Sequence, residues 1–174
     1  MSGYSITLNF FLSYAVEHCL KNVTFSWALD FDWRQTLLSH CTIKALDVCD
    51  DFPSDIVLQN YIIQSQKILD KQGSFDVTLS GVGMFPWLVF AHVQSVSLCD
   101  LHKKLSQVLP SSQPQFDNEN YTPHVSIGTV SGDVSLVSDI HENFGAMKIS
   151  EIQLVVWDQK NLTNSTIYHR FSLL

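Results

Sequence analysis

The chain has 174 residues, 45% apolar and 16% charged. That is enough for one domain, residues 1–174, with a substantial core, and it excludes a disordered chain. The formal net charge of −7 and pI near 5.3 exclude a broad basic nucleic-acid footprint. DNA is therefore not an expected partner, and any RNA-like ligand is small or held by local contacts. No apolar run approaches transmembrane length, and the start lacks a basic n-region and a small-residue cleavage site, so neither a membrane span nor a secretory signal is expected. Cys19, Cys41, Cys49 and Cys99 show no CxxC pair and no zinc spacing. Reduced, mostly buried thiols in a cytoplasmic protein follow, a monomer is expected, and the sequons at Asn22, Asn161 and Asn164 are then accidental.

Tyr4 to Asn9 alternates and reads as a strand. Phe10 to Leu20 is apolar and reads as a helix of poor period, Asn22 to Leu29 as extended, and Asp30 to Ser39 carries no clear period. Ser39 to Leu46 is a strand. Asp50-Asp51-Phe52-Pro53-Ser54 starts a helix, with acidic side chains at the positive end of the dipole. Leu58, Ile62, Ser65 and Leu69 mark its buried face, and it ends before Gly73.

Phe75 to Val82 alternates, Gly81 to Pro86 turns, and Trp87 to Val93 is a more buried strand, which together predict a hairpin. Leu98, Leu101, Leu105, Val108 and Leu109 give the clearest helical period, stopped by Pro110. A polar loop over Ser111 to Asn120 leads to a strand over Tyr121 to Val130 and a weak helix over Val134 to Phe144. Met147 to Trp157 and Thr166 to Leu173 are two final strands. Strands and helices without regular βαβ alternation predict an α+β fold.

Two stretches on these strands read alike: His40-Cys41-Thr42-Ile43-Lys44 and His124-Val125-Ser126-Ile127-Gly128. On a strand, residues i, i+2 and i+4 share a face. His40, Thr42 and Lys44 then point one way, as do His124, Ser126 and Gly128. With seven histidines in the chain, composition alone yields roughly one HxS/T. Both motifs, however, fall on predicted strands, both continue with Ile, and they lie about half the chain apart, each on the strand that opens a strand, helix and hairpin order. Side by side, the strands line one cleft with two imidazoles and two hydroxyls. Imidazole titrates near neutral pH, so the pair suits acid–base work on a phosphodiester.

The surrounding strings resemble the 2H phosphoesterases, a superfamily named for two HxT/S motifs. Phe75-Asp76-Val77-Thr78-Leu79-Ser80-Gly81-Val82-Gly83-Met84-Phe85-Pro86 is similar to the family's strand and Gly-rich turn between the motifs. Tyr121-Thr122-Pro123-His124-Val125-Ser126-Ile127-Gly128 is similar to its second motif, where Pro precedes the His, and His40 to Lys44 to its first. The segment up to Ser39 aligns only loosely. The resemblance implies a LigT-like fold of two pseudo-symmetric lobes whose antiparallel-rich sheets form a central cleft flanked by helices.

Within the superfamily the chain most resembles the viral branch of coronaviruses, toroviruses and the rotavirus capping enzyme. That branch cleaves 2′,5′-oligoadenylate, the activator of host RNase L. The resemblance implies that substrate, a site of action in host cytoplasm, and catalysis by His40, Thr42, His124 and Ser126 without metal or cofactor. The motifs themselves do not encode linkage. A 2′,3′-cyclic nucleotide or 3′,5′-RNA phosphodiesterase, and a non-catalytic nucleotide-binding module, stay open beside it.

Other residues offer weaker signals. Lys44 either adds positive charge to the site or is an exposed strand-end lysine. Phe85, Trp87 and Tyr121 either stack on adenine or pack in the core. No HExxH, EF-hand, P-loop or GxGxxG motif occurs. Asp47, Asp50 and Asp51 belong to a helix start, and His102 with Lys103 and Lys104 to a solvated face.

Overall fold

Central strands buried along most of their length organise the sheet. On β1 (Tyr4–Phe11) Ile6, Leu8 and Phe10 are buried, and on β8 (Glu151–Asp158) Ile152, Leu154 and Val156 are. These side chains join one apolar core, the hydrophobic term that drives the fold. The computed structural model describes residues 3–25, 30–33, 38–86, 88–131 and 141–174. The remaining strands are β2 (Asp30–Trp33), β3 (His40–Cys49), β4 (Phe75–Met84), β5 (Val89–Gln94), β6 (His124–Ser131), β7 (Asn143–Ile149) and β9 (Thr166–Ser172). The helices are α1 (Tyr14–Phe25), α2 (Asp55–Leu69) and α3 (Val96–Ser106).

The strands form one antiparallel sheet in the order β7-β4-β5-β6-β3-β1-β8-β9, with β2 also paired to β6. Two sets of four meet along β3 and β6: β3, β1, β8, β9 on one side and β6, β5, β4, β7 on the other. This is the expected α+β architecture of two similar lobes. The lobes interleave along the chain, however, because the hairpin after the first motif (β4–β5) joins the second motif's strand. The described helices include none long and apolar enough to cross a membrane.

Local expectations held where a pattern ran over several turns. Helix α2 buries Leu58, Ile62, Ser65 and Leu69, and α3 buries Leu98, Leu101 and Leu105. Elsewhere the structure corrects them. Strand β1 runs to Phe11, and the Ser13 Oγ accepts from the Val16 amide (3.4 Å) at the start of α1. The segment read as a helix from Phe10 and as extended from Asn22 is therefore a strand, a turn and a helix to Phe25. Its buried Val16 and Leu20, one turn apart, carry the packing.

Asp30 to Trp33, without visible period, is a strand paired to β6. Met147 to Trp157 divides at Ser150 into β7, paired to β4, and β8, paired to β1 and β9. Asn143 and Phe144, read as a helix end, belong to β7; residues 134–140 of that expected helix lie outside the described residues. Of the four thiols only Cys41 is buried, the others being half-exposed.

Candidate active site

Cys41 on β3 pairs with Val125 on β6. Both are fully buried on the core side, so the residues flanking them point to the opposite face. His40, Thr42, His124 and Ser126 therefore share one face, each half-buried. By that register His40 lies across from Ser126 and Thr42 across from His124. The two histidines sit on the diagonal, where Cβ atoms are roughly 7–8 Å apart.

The two imidazoles are oriented alike. His40 Nδ1 lies 3.0 Å from the Leu38 carbonyl, and His124 Nδ1 lies 2.7 Å from the Thr122 carbonyl. A carbonyl only accepts, so Nδ1 carries the proton in each neutral ring, and Nε2 is the atom that gains or gives one. Each bond reaches the backbone two residues upstream. Sequence spacing gave no sign of that arrangement.

The supports beneath the rings differ. His40 stacks on Trp157, with centroids 4.2 Å apart at 25°. Trp157 Nε1 donates to Thr7 Oγ1 (2.7 Å), the Asn9 amide nitrogen donates to the same oxygen (2.7 Å), and Thr42 Oγ1 donates to Asn9 Oδ1 (3.0 Å). In this orientation the Thr42 proton points away from the cleft. His124 sits against Phe85 and Phe90, with each centroid 5.1 Å away, at 80° and 57° respectively. Phe90 stands opposite Ser126 and His92 opposite His124 on β5. Gly83 makes room for them: a Cβ there would lie 2.4 Å from Phe90 Cζ and 2.9 Å from His92 Nε2.

Phe85 stands beside His124, while Trp87 lies outside the described residues. Lys44 does not share the face of His40. On β1, Leu8 pairs with Lys44 and Asn9 with Thr42, so Ile43 is an extra residue that breaks the alternation. Lys44 is only 1% exposed and its Nζ is ion-paired with Asp117. It supports the strand from below rather than offering charge to a ligand.

Tyr121 is likewise structural. Its ring stacks on His102 (3.8 Å, 6°) and its hydroxyl donates to the Thr42 carbonyl (3.0 Å). Burial pushes that hydroxyl well above the usual tyrosine range, which keeps it a donor. His102, expected on a solvated face, is 2% exposed. Burial lowers its basicity. The neutral ring donates from Nδ1 to the Ile43 carbonyl (2.7 Å) and accepts at Nε2 from the Asn118 amide (3.0 Å).

Thr42, Ile43 and Lys44 are thus each held by the α3–β6 connection or by α3 itself, and that connection leads directly into His124. Cys41, in the middle of the first motif, is pushed up to about 12 by burial. It is an inert thiol, not a nucleophile.

The residues missed by sequence reasoning are Thr7, Asn9, Phe90, His92 and Trp157. A signal existed for three of them: polar Thr7 and Asn9 in an apolar strand, and His92 in a buried one.

Residues 39–161 match the 2′-5′ RNA ligase superfamily. The fold is similar to that of Escherichia coli LigT in apo form, with a TM-score of 0.75, 15% identity and 99% of each chain covered. LigT complexed with 3′-AMP gives a TM-score of 0.74 at 13% identity over 99% of each chain. TT0787 of Thermus thermophilus gives 0.72 at 18% identity over 97% of each. No curated protein sequence matches the chain.

Proposed function

The chain belongs to the 2′-5′ RNA ligase superfamily, and from that premise we propose that it is a phosphodiesterase working by histidine acid–base catalysis without metal, with 2′,5′-oligoadenylate as substrate. The observation that carries the reading is the matched pair of imidazoles on neighbouring strands, each pinned through Nδ1 to a backbone carbonyl. In a 2′,5′-linked substrate the free 3′-hydroxyl lies beside the phosphate. One histidine takes its proton at Nε2 as the 3′-oxygen attacks phosphorus. The bond to the leaving 5′-oxygen breaks, and the other histidine protonates that oxygen from Nε2. The products are a 2′,3′-cyclic phosphate and a 5′-hydroxyl. Thr42 and Ser126 donate to the non-bridging oxygens, where charge gathers.

The family's description names a 2′,5′ linkage, which supports that linkage in the substrate, and a LigT structure holds 3′-AMP, which supports a small adenine nucleotide. The likeness of the motif strings to the viral branch extends the reading to removal of the RNase L activator in host cytoplasm. The test offers 2′,5′-oligoadenylate, 3′,5′-oligoadenylate and 2′,3′-cyclic AMP in EDTA to wild type, His40→Ala and His124→Ala. Turnover of the first alone, lost in both variants, is expected. Comparable turnover of the other two would assign a broader phosphodiesterase. Loss on chelation would contradict the metal-free mechanism, and binding without turnover would make the cleft a binding module.

A further inference from the structure

Behind Thr42 lie three side chains that the proposed chemistry does not use: Asn9, fully buried, with Thr7 and Trp157 nearly so. Resting on the reading that Thr42 donates to a phosphoryl oxygen, we propose that Asn9 is a positioning residue. Its amide nitrogen turns toward Thr42, so that a one-way chain of donors from Trp157 through Thr7 and Asn9 to Thr42 aims the Thr42 hydroxyl proton into the cleft.

Two observations carry this. The first is donor accounting. With the amide nitrogen toward Thr7, Thr7 Oγ1 receives both Trp157 Nε1–H and Asn9 Nδ2–H. Among the described residues its own proton then has no acceptor, and the Thr42 proton is spent on Asn9 Oδ1. Turning the amide by half a rotation exchanges its oxygen and nitrogen at nearly unchanged positions. Trp157 then donates to Thr7, Thr7 to Asn9 Oδ1, and Asn9 Nδ2 to Thr42. Each link in the chain then has one donor and one acceptor, the second Asn9 N–H alone losing its partner, and the last proton in the chain is the one facing the cleft.

The second observation is length. O–H···O bonds centre near 2.7–2.8 Å and N–H···O bonds near 2.9–3.0 Å. The Asn9–Thr7 contact is 2.7 Å and the Asn9–Thr42 contact 3.0 Å. Both lengths fit the rotated amide, with a hydroxyl donating at the short contact and an amide at the long one. The bond given up is the long one, 3.4 Å, to the Thr7 carbonyl. The fixed end of the chain is Trp157, because an indole nitrogen can only donate. The same indole stacks on His40, so one side chain sets both the ring and the direction of the neighbouring hydroxyl.

Asn9→Asp keeps the shape but, once ionised, offers only acceptors, which holds the Thr42 proton inward. The experiment measures inorganic phosphate affinity by titration, and kcat and KM on a 2′,5′-adenylate dimer. It compares wild type, Asn9→Asp, Thr42→Val and the double variant, with melting temperature as the check on folding. Thr42→Val and Asn9→Asp are each expected to weaken phosphate binding about tenfold, the worth of one hydrogen bond to a charged group. The double variant is expected to be no weaker than Thr42→Val alone.

Repulsion from the new carboxylate would persist without the Thr42 hydroxyl. An Asn9→Asp loss that multiplies onto the Thr42→Val loss, or wild-type affinity in Asn9→Asp, overturns the proposal. Thr7→Val and Thr7→Ser repeat the test one link back: Val is expected to weaken phosphate binding and Ser to restore most of it, and equal affinities overturn the chain. Coupled phosphate binding without turnover of any phosphodiester would refute the enzymatic reading and support the chain. Turnover without coupling would do the reverse.

Discussion

The two motif strands present the same chemistry on unlike foundations. On β3, His40 and Thr42 rest on a buried polar layer of Trp157, Thr7 and Asn9, and on a bulge held by Tyr121, His102 and Asp117. On β6, His124 and Ser126 rest on rings, Phe85 and Phe90, with Gly83 leaving them room. The shared feature is the Nδ1 bond to a carbonyl two residues back. The proposed pair of acid–base groups is thus given like orientation on unlike surroundings. The difference predicts where each strand breaks: β3 by loss of polar partners, β6 by crowding.

The largest effects test what the strands share. Removing either imidazole, as His40→Ala or His124→Ala, is expected to lower turnover by about 10²–10⁴-fold, the usual worth of a positioned acid or base. Initial rates on 2′,5′-oligoadenylate measure it, and unequal losses would show which strand carries more of the chemistry. Asp117→Ala strips the partner from buried Lys44. It is expected to cost about 3–5 kcal/mol in urea unfolding, whereas Lys44→Met with Asp117→Leu recovers most of that.

Crowding addresses the other strand. Gly83→Ala is expected to cost about 1–3 kcal/mol, because its methyl overlaps Phe90 and that ring must move. The loss should appear in turnover as well as in melting temperature, since Phe90 also supports His124.

The smallest effect is a pH dependence. Burial holds His102 below its ordinary value of 6.5, so near and below that pH the unfolded chain binds a proton that the folded chain does not. Stability is then full above about 6.5, falls as pH drops toward the folded value, and levels off beneath it. His102→Gln should flatten that slope. An unchanged slope would remove His102 from the account of the β3 bulge.

Much of this was legible in the sequence because it follows from period. The stripe of α2, the stripe of α3, the β4–β5 hairpin and the two HxT/S strands all repeat a spacing over several residues. What escaped depends on contacts between distant segments. Lys44 left the expected face because of one extra residue, Ile43, held by a side chain 59 positions away. His102 looked solvated beside Lys103 and Lys104, yet its helix turns it onto the Ile43 carbonyl. The division at Ser150 is invisible in a run of strand-forming residues, because only partner strands distinguish β7 from β8. At the site, the motif histidines were readable as types at a spacing. Trp157 was not, and Asn9 showed only as a polar residue in an apolar strand, since both reach the motif only through strand pairing.

The central claim, that His40 and His124 act as one acid–base pair, is tested most directly by turnover of a 2′,5′-adenylate dimer in EDTA by wild type, both single alanine variants and the double variant. Groups that act as a unit lose their effect together. The account predicts that each single variant loses about as much as the double. Substantial turnover by either single variant, or a double variant whose loss is the product of the two single losses, would contradict it.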